Sequence, residues 1–480
     1  MNDATIARSS APSEALPAST FTVLVCGLGL YMGWQTVGIS PTLFPQPNPE
    51  SANVLEFANY LQTTLFLILL MVLGRYAKTH GSLLSHKLFI IAAATLTCAS
   101  TAGTYAFGWM LDMPGGTIAT TVLEASKAAF LLLWAECLCR VRFRDTLLCV
   151  SLSYVAVFLI CLLVAGLREI PALITHSVLP LLSGAALMVL RRDRAFVKSP
   201  EPSESNTLPR LPMRLFAGVG LFGAVILLTN TLSESKSSAT AELFTLLAGL
   251  AISIAIALLA TRRNEKFNFT FLYRMLTPLI IASVMLVLTL ESGNQQYEAF
   301  VIGVSWAFFR IFTWTLWCSI ALRSHASAAY VFALGQFALT FCSTTAQFAV
   351  DNLLPIANIS LPMMISAIIT LAVGTSAFVM SESDIKQFFE KRKSSKKRID
   401  EEELLSHCVR RATQAYGLSN RESEIASLVI RDKNNAVIEG QLCITESTLR
   451  THLRNIYAKM SVHSRQELIE AMLSYATDDS

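Results

Sequence analysis

The sequence predicts an all-α, polytopic membrane protein: twelve transmembrane helices in two groups of six, then a small C-terminal domain of four short helices. Three observations predict it. Of the 480 residues, 53% are hydrophobic and only 15% charged, which places most of the chain in lipid. The apolar residues gather into twelve stretches near the roughly 20 residues that a helix needs to cross a bilayer. Beyond Met380 the composition turns polar at once and stays so to the C-terminus.

Taken in order, residues 1–20 are small and polar and lack the short apolar core of a cleaved signal, so an unprocessed cytoplasmic tail is expected. The first membrane half, 21–190, holds stretches from Phe21 to Ile39, Ala58 to Arg75, Leu88 to Met110, Thr117 to Leu138, Leu147 to Gly166 and Pro171 to Leu190. Residues 191–214 carry Pro200, Pro202, Pro209 and Pro212 among Ser, Glu and Arg, the composition of a solvated linker. The second half, 215–380, holds stretches from Leu215 to Thr231, Ala241 to Ala260, Leu276 to Leu290, Ala299 to Leu322, Ala328 to Val350 and Pro355 to Met380. The ninth of these is short, and its ends are not fixed by composition.

Charge orients the helices. With a cytoplasmic N-terminus, the five inner loops carry seventeen Lys and Arg, and the six outer loops carry only Arg168 and Lys236. Because Lys and Arg are retained on the cytoplasmic side, this predicts a multi-pass protein of the cell membrane with both termini inside. A basic juxtamembrane segment, 381–400, follows, with Lys391, Arg392, Lys393, Lys396, Lys397 and Arg398 within eight residues. Anionic headgroups attract each such cation by roughly 1 kcal/mol, and the same charges can add phosphate attraction.

Ten cysteines are scattered, eight of them in apolar segments, so no disulfide framework is expected. Cys137 and Cys139 form one C-x-C pair with no second pair or His cluster, which reads as packing and not as a metal site. No cofactor is expected. No nucleophile–base pair, phosphate loop or metal constellation occurs in the polar parts, which argues against an enzyme.

The last domain, 401–480, carries nine Lys and Arg against twelve Asp and Glu, so charge alone does not announce a partner. Its pattern does. Ser419 or Asn420 can cap a first helix with Glu422 in its first turn and a stripe of Ile425, Leu428 and Val429. A second helix runs from about Asn435 to Gln441. Thr445 caps a third, Glu446 to Met460, with Leu449, Leu453, Ile456 and Met460 on its buried face. A fourth runs from Arg465 to Tyr475. The exposed side of the third presents Thr448, Arg450, Thr451, Arg454, Asn455 and Lys459, donors suited to phosphates and base edges. A short helix, a tight turn and a capped polar helix make a helix-turn-helix.

The string from Ile444 to Met460, ITESTLRTHLRNIYAKM, followed by Ser464-Arg465, closely resembles the recognition helix of LuxR-type DNA-binding domains, and Asn420-Arg421-Glu422 with Ile425 resembles their opening. The resemblance implies that Arg450, Thr451 and Arg454 face the groove of double-stranded DNA. Thr445, Ser447, Thr448, Asn455, Lys459 and Arg465 are the neighbouring polar residues expected at DNA, and the fourth helix is expected to pair subunits into a homodimer. Two residues depart from the family's usual pattern. Glu439 stands where a small Ala is common, predicting a packing cost or a buried charge, and Cys443 stands where Gly is common in the turn.

Two groups of six helices about a cytoplasmic linker resemble the major facilitator superfamily, in which helices one, four, seven and ten line a central cavity. The segment Gly74-Arg75-Tyr76-Ala77-Lys78-Thr79-His80-Gly81 keeps the end glycines of that superfamily's loop motif but has Lys78 where an acidic residue is expected, which favours a sensor over a working transporter. Charges inside a bilayer are site hypotheses by default. Glu124 and Lys127 are one helical turn apart in the fourth stretch, and Arg310 lies at mid-depth in the tenth. With Trp34, Gln35, Asn230, Trp306 and Trp314 they are expected to form a pocket for a small molecule that is anionic, aromatic or amphiphilic; the alternative is a charge network that locks the halves together. Glu136 is expected to pair with Arg140 and Arg142 at the membrane surface, and His176 to be a satisfied core residue.

These readings combine into a membrane-bound one-component transcriptional regulator that senses a small molecule through its helices and binds DNA through its tail. The alternatives are a secondary transporter with a fused regulatory tail and a scaffold whose tail binds protein.

Overall fold

The structure is a computed structural model, describing residues 17–38, 52–110, 115–192, 211–232, 239–262, 269–289, 295–324, 326–353, 361–379, 405–431 and 433–474. The expected linkers at 191–214 and 381–400 fall almost entirely outside these residues. The described residues form helices and turns with no strand, and the chain divides into two compact units, 1–385 and 386–480.

Among its described residues the first unit is a bundle of twelve helices: α1 Ala18–Gly38, α2 Ala52–His80, α3 Lys87–Gly103, α4 Gly115–Leu138, α5 Phe143–Ala165, α6 Glu169–Arg192, α7 Met213–Leu232, α8 Ala239–Arg262, α9 Phe269–Thr289, α10 Gln295–Ser324, α11 Ala328–Phe348 and α12 Leu361–Gly374. α3, α11 and α12 end in π-helical turns, Thr104–Met110, Ala349–Leu353 and Thr375–Val379. Among the described residues, eleven helices are long and apolar enough to cross a membrane, and the last, Met363–Val379, is a shorter apolar helix. Every expected stretch is therefore helical over its described residues. The ninth is longer than composition suggests, beginning at Phe269. The expected start of the twelfth, Pro355, lies outside the described residues.

Helices α1–α6 pack among themselves, as do α7–α12. Between the halves, α2 lies on α11 and α5 on α8, with α4 touching α11 and α5 touching α10. Small residues make these approaches close: a side chain at Gly74 would meet Ala333 Cβ at 2.5 Å, so the α2–α11 seam needs glycine there. Within the first half, Trp134 Nε1 donates to Ser183 Oγ at 3.0 Å and that hydroxyl donates to the Gly27 carbonyl at 2.9 Å, joining α4, α6 and α1. His176, buried as expected, sits between the Tyr105 hydroxyl at 2.8 Å and the Trp34 carbonyl at 2.9 Å, so both ring nitrogens have partners.

Glu136 differs from expectation. It is 4% exposed, and its carboxylate accepts from Ser82 Oγ at 2.5 Å and from the backbone N–H groups of Leu83 and Leu84 at 3.0 and 2.9 Å. It caps the short 3₁₀ turn Leu83–Ser85 between α2 and α3; Arg140 reaches the same Ser82 Oγ at 2.9 Å instead of bonding directly to Glu136. An anion at the N-terminus of a turn satisfies donors that lipid or apolar packing would leave orphaned.

Among its described residues the second unit has five helices, α13 over 405–416, α14 Asn420–Val429, α15 Asn435–Leu442, α16 Glu446–Met460 and α17 Arg465–Leu473. The last four are the expected ones; α13 precedes them and adds Cys408, Val409 and Ala412 to a core of Ile425, Val429, Ile438, Leu449, Leu453, Ile456 and Leu468. Each of α14–α17 starts on a side-chain cap, Ser419, Asn434, Thr445 and Ser464. Ser419 and Glu422 form a reciprocal capping box, which satisfies two of the first-turn donors at once.

Candidate functional site

In the second unit, the helix-turn-helix is α15, a turn through Cys443 and Ile444, and α16. α15 stops because Cys443 adopts a left-handed conformation, φ 51° and ψ 47°, with its N–H and that of Ile444 both returning to the Glu439 carbonyl. Without glycine this geometry costs roughly 1–2 kcal/mol. The Glu439 side chain is only half-buried, so its charge stays hydrated and the expected burial penalty does not arise. Arg421 buttresses the turn from α14, donating to the Leu442 carbonyl at 2.6 Å while paired with Glu424 at 2.6 Å.

α16 buries Leu449, Leu453, Ile456 and Met460, which leaves a continuous exposed face of Ser447, Thr448, Arg450, Thr451, Arg454 and Asn455. Thr445 is occupied as the cap, accepting from Thr448 N at 3.4 Å and sharing hydrogen bonds with Ser447 Oγ and Thr448 Oγ1 at 3.0 and 2.9 Å. Arg450 is held back along the helix by Glu446 at 2.5 Å, in a pair 74% and 62% exposed. Such a surface pair contributes a few tenths of a kcal/mol, so it is readily exchanged for a stronger acceptor. Thr451 Oγ1 donates to the Ser447 carbonyl at 2.9 Å.

Two residues expected at DNA also bond within the domain. Lys459 Nζ donates to Glu422 Oε2 at 2.7 Å and to the Gly417 carbonyl at 3.1 Å. With its cap bonds this holds the Glu422 carboxyl below its ordinary range, while the Lys459 side chain stays 38% exposed. Arg465 donates to the Lys433 carbonyl and to Asn435 Oδ1, tying the start of α17 to the start of α15.

In the first unit, a cavity of about 270 Å³ opens between the two halves. α4 supplies Glu124 and Lys127, which form an ion pair with side chains 28% and 24% exposed, so the pair lines a space and is not packed shut. α10 supplies Arg310, flanked by Trp306, Phe309, Thr313, Trp314 and Trp317. Arg310 Nη2 donates to Gln35 Oε1 of α1 at 3.0 Å, and Gln35 Nε2 donates to the Tyr31 hydroxyl at 2.8 Å. Gln35 thus bridges the halves with its amide orientation set by both neighbours. α2 and α11 complete the wall with Thr63, Phe66, Gln336, Leu339 and Thr340. The Trp317 indole lies against Gly335, where any side chain would meet its ring nitrogen at 2.4 Å; glycine is what admits the indole there.

Of the expected pocket residues, Gln35, Glu124, Lys127, Trp306, Arg310 and Trp314 line this cavity. Trp34 does not: it is 2% exposed, its Nε1 donates to Thr101 Oγ1 at 3.2 Å, and its ring stacks on His176 inside the first half. Asn230 is exposed at the last turn of α7 and is also outside the lining. Trp34 misses the cavity because neighbours on a helix point about 100° apart, so it faces away from the side on which Gln35 lines it; α7, which the facilitator resemblance expects at the cavity, contributes none of its lining residues. Sequence reasoning missed Tyr31, Thr63, Gln336, Thr340 and Trp317, which are neutral and carry no mark that separates them from ordinary membrane-helix residues.

Residues 417–472 match the family model of bacterial regulatory proteins, luxR family, also called GerE. Among solved structures, the chain is similar to a bacterial homologue of the iron transporter ferroportin in its outward-facing state, with a TM-score of 0.54 at 13% identity over 78% of this chain and 99% of that one. It is also similar to the major facilitator superfamily proton:xylose symporter XylE bound to 6-bromo-6-deoxy-D-glucose, with a TM-score of 0.52 at 14% identity over 77% of this chain and 94% of that one. At such identities the likeness is one of fold. The chain therefore joins a membrane domain of major facilitator-like fold to a LuxR-type helix-turn-helix DNA-binding domain.

Proposed function

We propose that this protein is a membrane-bound, one-component transcriptional regulator, in which a small molecule bound among the membrane helices changes how the LuxR-type tail engages double-stranded DNA. The observation that carries the reading is the presence in one chain of a complete recognition helix, with Arg454 and Asn455 exposed, and of a charged cavity bounded by both halves of the membrane unit. A cavity shared by two packed halves is the kind of site whose occupancy biases their packing, which is what a two-state sensor requires.

The excess of seventeen cations over two in the loops supports a cell-membrane location with both termini cytoplasmic, where the tail meets the chromosome. Because one recognition helix covers only a few base pairs, specificity calls for two tails on a two-fold site, about 34 Å apart. α17 is the proposed pairing helix. The substitution at Lys78 supports sensing over transport: Lys78 Nζ lies 4.6 Å from the Tyr330 ring centre, a cation–π contact from α2 to α11 where the transporter motif would carry an acid.

The reading is tested by isolating DNA bound to the full-length protein in native membranes, with bulk competitor DNA present. A small set of enriched fragments with two-fold symmetric sites, lost in Arg450→Ala/Arg454→Ala, is expected. Enrichment indifferent to that substitution, or binding only to protein partners, would count against it.

A further inference from the structure

We infer that the cavity between the halves takes a small aromatic monoanion, an aryl or arylalkyl carboxylate, with its carboxylate on Arg310. This deepens the sensing proposal and rests on the cavity assigned there.

The charge of the lining comes first. Two cations and one carboxylate face the space: Lys127, Arg310 and Glu124. Glu124 is spent on Lys127, its neighbour on the same helix. Arg310 has only a neutral partner, the Gln35 amide at 3.0 Å, and meets no carboxylate among the described residues. Counted over the described residues, the site is thus one negative charge short of neutrality. Within a membrane domain an uncompensated guanidinium costs several kcal/mol, which water in the cavity relieves in part and an anion relieves more fully.

The form of the cation narrows the anion. Gln35 engages one terminal nitrogen of the guanidinium, and the planar donor fork leaves further N–H groups for a ligand, the arrangement that matches a carboxylate. Gln35 is itself held by Tyr31, so the fork is oriented before anything binds. The walls narrow the body of the ligand. Phe309, Trp306, Trp314 and Trp317 come from the helix that carries Arg310, with Tyr31 and Phe66 from the other half. Such walls favour a flat apolar body through offset or edge contacts. At about 270 Å³ the space falls just below the roughly 300–1,000 Å³ of drug-sized ligand pockets, which suits a one-ring compound.

Glu124 then acts as a resident counter-ion competing with the ligand for the positive field. Its removal strengthens anion binding, an effect that no purely structural lock between the halves produces.

The test uses full-length protein in lipid nanodiscs, titrated with benzoate and 3-phenylpropionate, with benzamide, benzylamine and acetate as comparators and empty nanodiscs as blank. Binding is read from fluorescence of the cavity tryptophans. Saturable binding of an aromatic carboxylate about tenfold or more tighter than of benzamide or benzylamine is expected. Arg310→Gln should weaken it about tenfold or more, Arg310→Lys less, and Glu124→Gln should tighten it several-fold. Equal or tighter binding of the neutral or cationic comparators overturns the inference, as does absence of saturable anion binding. If Arg310→Gln fails to fold, Glu124→Gln decides: unchanged or weaker anion binding overturns the inference. DNA binding measured in parallel separates the two proposals. Anion binding that leaves DNA binding unchanged sinks sensing alone, and a DNA response only to neutral or cationic compounds sinks the ligand class alone.

Discussion

Lys459 Nζ lies 2.7 Å from Glu422 Oε2, so the last turn of α16 is pinned to the first turn of α14 through a carboxylate that also closes that helix's capping box. Glu422 is 4% exposed. Removing its partner leaves a buried anion without its strongest hydrogen bond, and Lys459→Met should lower the stability of the DNA-binding domain by roughly 1.5–3 kcal/mol. DNA affinity, once corrected for the folded fraction, should hardly change. Thermal melts and gel shifts on the same preparation check both.

The same pair sets an acid limit. The folded-state value of Glu422 lies below its ordinary 4.5 because of the Lys459 and cap hydrogen bonds. Its contribution is therefore complete above the unfolded value and is lost as pH falls through the folded one. The wild-type domain should lose stability below about pH 4.5, and the Lys459→Met variant should show a shallower loss over that window in melts at stepped pH.

Arg450 should exchange its partner on binding. It is held by exposed Glu446 in the free domain, a contact worth only a few tenths of a kcal/mol. Arg450→Ala should cost about 1–3 kcal/mol on the cognate site and flatten base preference. Glu446→Gln should leave the fold intact and modestly raise affinity by releasing Arg450 and removing a negative charge near phosphate. Neutralising Lys391 to Arg398 should lower affinity evenly across sequences and reduce its salt dependence. Titrations on cognate and random duplexes at two salt concentrations separate these behaviours.

Cys443→Gly should stabilise the domain by roughly 1 kcal/mol, since glycine takes the left-handed conformation at φ 51° without the steric cost. Cys443→Val should do the opposite. Chemical denaturation of the two variants measures the difference.

Much of this architecture was legible because it rests on local rules. Caps at Ser419, Thr445 and Ser464 announce helix starts, and the Leu449, Leu453, Ile456, Met460 spacing fixes which face of α16 is buried. α13 is hard to read although 405, 408, 409, 412 and 416 fall at helical spacing, because its apolar positions are interleaved with His407, Arg410 and Arg411. In the membrane unit, the cost of buried charge led to Glu124, Lys127 and Arg310, and those three do line one cavity. Trp34 and Asn230 belong to helices that the facilitator resemblance puts at the cavity, but a helix's membership does not say which of its faces turns inward. Tyr31, Gln336 and Thr340 reach the cavity through the packing of α1 and α11 against the rest, a long-range outcome that neutral residues do not signal locally. The structural roles of Lys459 and Arg465 likewise depend on partners 37 and 30 residues away.

The seam between the halves gives a further expectation. α2 is tied to α11 at one end by Tyr60 and Asp351 at 3.2 Å and at the other by Lys78 over Tyr330. Tyr330→Ala removes a contact worth about 0.5–2 kcal/mol and should increase hydrogen exchange around 74–80 and 329–333 while leaving the rest of the bundle protected.

The most direct measurement is genome-wide DNA occupancy of the full-length protein in its own membrane, comparing wild type with Arg450→Ala/Arg454→Ala at equal membrane abundance. A small number of sharp, two-fold symmetric sites in the wild type, absent from the variant, is the predicted result. Identical profiles, or no enrichment above bulk DNA in either, would contradict the account.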